Sequence, residues 1–118
     1  MKLNVKERFA LRTVFSPQMT SLFENDLYDE FLDKIRISTE EAQRIDMKSE
    51  EGQTTWNAKE DKGIDVDITE ALLGLLVRAV KTADEQKKIP YDPDDKTIAN
   101  LARKILDYKI DKNGTTDK

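Results

Sequence analysis

The chain contains neither cysteine nor histidine. Without cysteine there is no disulfide, no thiolate nucleophile and no sulfur-ligated zinc. Without histidine the usual general base and the commonest metal ligand are missing. No Ser-His-Asp or Cys-His arrangement can be assembled within the chain. Glycine is scarce too, and its four copies are scattered rather than gathered into a phosphate cradle. Carboxylate-pair hydrolysis needs an acid whose pKa is raised by apolar surroundings. No acid lies in such a run, and Asp65 and Asp67 alternate on the outer side of an expected strand. The expectation is a non-enzymatic protein with no cofactor and no specific metal. The acidic stretches "DPDD" (92–95) and "DKNGTTD" (111–117) do not match a calcium loop, which needs alternating ligands, a glycine at position six and a final glutamate.

Long hydrophobic runs are also absent. The most apolar stretch, "ITEALLGLLVRAV", is too short to span a bilayer and contains Glu70 and Arg78. The opening "MKLNVKERFALRTVF" lacks the continuous apolar core and cleavage site of a signal peptide. A cytoplasmic location without membrane partners is expected. Charge, by contrast, is abundant. Its 20 bases and 24 acids leave a net charge of −4, which favours solubility and disfavours indiscriminate attraction to nucleic acid or anionic lipid. With 118 residues, 37% of them hydrophobic, the chain suits one compact domain with one modest core. That domain is expected over 1–110, with a polar, disordered tail over 111–118.

Apolar spacing predicts helices over 3–15, 22–36, 38–44, 68–86 and 93–109. In the first, Leu11, Val14 and Phe15 lie on one side and Val5 and Phe9 on another. Such a helix is either buried on two sides or lends one face to a partner. In the second, Phe23, Leu27, Tyr28, Phe31, Leu32 and Ile35 share half of the wheel at ~100° per residue. Capping boxes at "SLFE" and "STEE" start the second and third helices: Ser21 and Ser38 face Glu24 and Glu41 reciprocally. The fourth is apolar around more than half of its circumference and is expected to be central. Its Gly74 either permits a close backbone approach or is tolerated at ~1 kcal/mol. Asp92, followed by Pro93, is the expected cap of the last helix.

Between the third and fourth helices the period changes to two. Ile45 and Met47 alternate with polar residues, as do Thr54, Trp56 and Ala58, and then Ile64, Val66 and Ile68. With Glu51-Gly52 as a turn, this predicts a three-stranded antiparallel meander over 45–49, 53–57 and 63–67. The fold class is therefore α+β. In that register Trp56 points inward as a wedge beside Met47 and Val66. The alternative is an exposed tryptophan used for binding.

Four segments, "KERFAL", "STEE", "GQTTWN" and "IDVDITEALLGLLVRAV", occur in one order over most of the chain. Together they resemble a family of small phage- and prophage-encoded proteins of Gram-positive bacteria. The resemblance implies a phage-related accessory protein in the cytoplasm of its bacterial host. That family carries no established activity and supplies no functional residues.

Two surfaces are candidates for partners. Asp26, Asp29, Glu30 and Asp33 fall together on the second helix. They form either a solvated face or a docking surface for a basic protein, such as a host factor that is inhibited. Val5 and Phe9 offer a face for self-association as a homodimer. The alternative function is a nucleic-acid-binding regulator. Bases concentrate at the chain ends, and neighbouring end helices would gather Lys2, Lys6, Arg8, Arg12, Arg103 and Lys104 into a positive patch.

Overall fold

In the computed structural model, which describes residues 1–109, the first helix is shorter than the expected 3–15. Asn4 accepts from the Glu7 amide at 2.8 Å, and the Glu7 carboxylate accepts from the Asn4 amide at 2.9 Å. This capping box starts helix α1, Val5–Arg12. The residues ahead of it, Lys2–Leu3, form strand β1. Helix α2 spans Leu22–Lys34 and α3 spans Thr39–Arg44, with Ser21 and Ser38 as their caps. Strands β2 (Lys48–Glu50) and β3 (Gln53–Thr55) follow. A 3-10 turn, Ala58–Glu60, leads to β4, Ile64–Asp65. Helices α4 (Glu70–Glu85) and α5 (Thr97–Asp107) complete a mixed α+β fold.

The described residues form two small sheets rather than the expected meander. β2 and β3 make an antiparallel hairpin, and β4 pairs antiparallel with β1, not with β3. The departure begins just after Trp56. The Asn57 amide donates to the Ile45 carbonyl at 2.7 Å, and the 3-10 turn then carries the chain off β3. Asp61 accepts from the Val5 amide at 2.9 Å, which docks this segment at the head of α1. Gly63 has φ +73°, and a Cβ there would lie 3.0 Å from the Leu3 carbonyl oxygen. Only glycine therefore brings β4 this close beside β1 without strain.

Trp56 is not the core wedge that a meander would make of it. It is half-buried, with its ring edge-on to Phe9 at 5.6 Å and 64°. The continuous core is built instead around α4, where Leu72, Leu75, Leu76 and Val80 meet residues such as Phe31 and Leu101. As expected of a central helix, α4 packs against both α2 and α5. Helix α5 also packs against α1. Tyr28 crosses the α1–α2 junction, its buried hydroxyl shared between the Leu11 and Phe15 carbonyls at 2.7 and 3.0 Å. Burial raises the pKa of that hydroxyl.

Three local expectations change. Helix α5 starts at Thr97, not 93, because Asp92–Asp95 closes a turn of its own. Asp92 accepts from the Asp94 amide at 2.9 Å, and Asp95 takes the Thr97 amide at 3.0 Å. Phe23 lies at the edge of the apolar arc of α2 and is exposed rather than packed. Gly74 is exposed, and nothing lies within 4 Å of a Cβ placed there, so it mediates no close approach. The tail expected over 111–118 lies outside the described residues.

Candidate functional site

The outer face of α2 is the first candidate. Ser21 fixes the start of the helix by accepting from the Glu24 amide at 3.1 Å. Glu24 does not return the bond to Ser21. Its carboxylate accepts instead from the Thr20 amide at 2.8 Å and makes a two-pronged pair with Arg78 of α4, at 3.0 and 3.1 Å. Those bonds hold the Glu24 pKa down at about 2, the Arg78 guanidinium being the main cause. With this inner edge clamped, Leu22, Asp26, Asp29 and Asp33 face outward together, flanked by Phe23 and Glu30. Leu22 and Phe23 are 76% and 65% exposed. Asp33 pairs with Arg36 at 2.8 Å, whereas Asp26, Asp29 and Glu30 have no ion-pair partner among the described residues.

The second candidate is an open groove of about 870 Å³ between α1, the β3 edge and the start of α5. From α1 come Lys6, Phe9 and Ala10; from β3 and its exit come Thr54, Thr55 and Trp56. Asp61, Asp95 and Ile98 also line it. Lys6 is paired with Asp95, and that pairing draws the Asp95 carboxyl below the usual aspartate range. Asp61 accepts from two backbone amides, Val5 at 2.9 Å and Gly63 at 3.1 Å.

The expected Val5–Phe9 face is divided by the fold. Val5 is fully buried and offers nothing to a partner, whereas Phe9 is half-buried in the groove. The basic ends do meet, since α1 packs on α5, but much of their charge is spent internally. Arg8 is 1% exposed and pairs with Glu41 of α3 through both guanidinium nitrogens. This pairing, chiefly the hydrogen bonds from Arg8, lowers the Glu41 pKa. Lys104 pairs with Glu7 at 2.9 Å and donates to the Lys2 carbonyl at 2.7 Å. Lys6 is held by Asp95, leaving Lys2, Arg12 and Arg103 exposed, with no acidic partner among the described residues. A phosphate backbone thus has at most three bases without an acidic partner rather than six, and of these Arg12 donates to the Leu32 carbonyl and Arg103 to the Asn100 side chain.

Sequence reading passed over Leu22, Thr54 and Asp61 as site residues. Leu22 was legible: the residue after the Ser21 cap falls on the same side of the wheel as Asp26 and Asp29. Asp61 was not, because its amide partners belong to distant or irregular backbone. Among the described residues, no group of three or more acids is placed to hold a metal ion, and no helix is long and apolar enough to cross a membrane. No family model, no curated protein and no solved structure matches the chain.

Proposed function

We propose that this chain is a non-enzymatic phage or prophage accessory protein, acting in the host cytoplasm by binding another protein through the outer face of α2. One observation carries the reading. Two large apolar side chains, Leu22 and Phe23, stand exposed at the head of a stripe of carboxylates that mostly lack counter-ions. Exposed apolar area returns roughly 25 cal/mol per Å² when a partner covers it. The acids add long-range steering and partner choice. Two such faces repel each other, so the arrangement favours a basic host protein over a second copy. The phage setting rests on the resemblance of the four sequence segments.

The test is a pull-down from host lysate with the full chain and two variants. Asp26→Lys with Asp29→Lys is expected to lose the captured partner at low salt, where steering is strongest. Phe23→Ser is expected to lose it at every salt concentration, because apolar burial is not screened. A partner retained by both variants would exclude this face.

A further inference from the structure

Thr54, Thr55 and Trp56 are consecutive, yet all three line the groove. Successive side chains of a strand point to opposite faces. Thr54 and Thr55 are successive in β3 and would face opposite ways, so a groove lined by both, and by Trp56 just past the strand, runs along the strand's edge. That edge is the one β2 leaves uncovered. In a hairpin closed by two residues, the pair beside the turn, Glu50 and Gln53, exchanges hydrogen bonds and the next pair, Ser49 and Thr54, does not. Thr54 therefore turns its amide and carbonyl outward. Trp56, two residues on, has no backbone hydrogen bond among the described residues. Outward groups two residues apart are the template for an added strand. The edge is short, three residues, but Gln53, Thr54 and Thr55 bring neither charge nor proline to guard it.

The charge of the groove selects among strands. Asp61 is held by backbone amides alone, so its negative charge meets no cation among the described residues. The one lysine lining the groove, Lys6, is already paired with Asp95. Trp56 and Phe9, whose rings meet at 64°, line the same groove as these carboxylates, and aromatic π-faces attract cations. The groove, about 870 Å³ and open to solvent, has room for an extended segment.

We infer that this groove binds an extended segment of a partner protein carrying a lysine or arginine, which joins β3 as an added strand and sets its cation against Trp56 and Asp61. The inference rests on the reading of the chain as a protein-binding molecule, but uses a surface separate from α2. A second copy fits less well, because the chain is acidic overall and its own β3 brings no cation.

The experiment selects displayed random heptapeptides on the full chain and follows the synthesised winners by the emission of Trp56, the only tryptophan. The selected peptides are expected to share a lysine or arginine within an alternating apolar pattern. Replacing that residue by norleucine should weaken binding about tenfold, with the difference shrinking in high salt. Asp61→Asn keeps an acceptor for only one of the two amides that Asp61 holds, so the thermal midpoint is read beside the affinity: the basic peptide should weaken by a similar factor while the norleucine peptide is unaffected. Methylation of alternate peptide nitrogens should abolish binding in one register and spare it in the other. Asp26→Lys with Asp29→Lys should leave peptide binding intact, so failure on α2 and failure here are read separately. The inference is overturned if no peptide is selected, if the winners lack a basic residue, or if methylation is tolerated in both registers. Self-association that shields Trp56 from iodide would overturn it too, by giving the groove to a second copy.

Discussion

Arg8 is a cation almost without water, and its neighbour across the interior is Glu41, whose side chain is 9% exposed. A buried pair of this kind contributes little net stability when both members are present, but losing one member strands the other charge. Glu41→Gln is therefore expected to cost roughly 3–5 kcal/mol. Arg8→Met combined with Glu41→Leu should cost less than that single change, because no charge remains to be desolvated. Urea unfolding of the three proteins decides this, and a double variant as unstable as Glu41→Gln would contradict it. Nothing local marks Arg8 as buried. It sits one turn from Arg12 and beside Phe9, and reads as a surface base until a carboxylate from another helix is placed against it. Gly63 is the opposite case, a residue whose role is backbone geometry. Its positive φ and the nearby Leu3 carbonyl make Gly63→Ala unfavourable by at least ~1 kcal/mol, measured as a fall in the thermal midpoint.

At the level of elements, three helices use the same position twice. Glu7, Glu24 and Glu41 each give a backbone amide to the cap residue three positions earlier. Each also sends its carboxylate to a base on another helix: Lys104, Arg78 and Arg8 respectively. The caps of α2 and α3 were legible because they need only a three-residue spacing. The one at Asn4 was equally legible and was passed over in favour of a longer helix. The cross-helix halves were not legible, since spacing along the chain says nothing about which base will be opposite. The strands show the same limit. A period of two correctly put Val66 and Ile68 inside, but it identifies a buried face and not a pairing partner. Trp56 was misplaced for that reason: β3 ends at Thr55 with every residue exposed, and the surface the indole meets is Phe9 rather than the core. Helix α4 offers a cleaner test. Gly74 has φ in the helical range, faces solvent and has open space where a Cβ would go. Gly74→Ala should stabilise the protein by up to ~1 kcal/mol. A loss of stability would contradict the open space seen beside Gly74.

Across the whole molecule, ionic ties run between elements: Glu24–Arg78 links α2 to α4, which the apolar core also joins, Glu41–Arg8 links α1 to α3, which gives that core no side chain, and Asp95–Lys6 links the turn before α5 to α1. All three carboxyls are shifted in the same direction, below their ordinary values. A carboxyl whose pKa falls on folding binds its proton more weakly in the folded chain, so protonation favours unfolding. Its contribution is complete above the unfolded value and is lost as pH falls through the folded one. For Glu24 that window runs from 4.5 down to about 2. The thermal midpoint should therefore be nearly flat from neutral pH to about 5 and fall steadily below it. Glu24→Gln should lower the neutral plateau and flatten part of the acid slope, because the remaining amide no longer titrates. Salt separates the exposed ties from the buried one. At high ionic strength the Glu24 and Asp95 contributions should shrink, while that of Glu41, shielded beside Arg8, should persist. An acid slope unchanged by Glu24→Gln would place the pH sensitivity in other carboxyls. A slope that vanished entirely in salt would show that the Arg8–Glu41 pair is not as sealed from solvent as its burial implies.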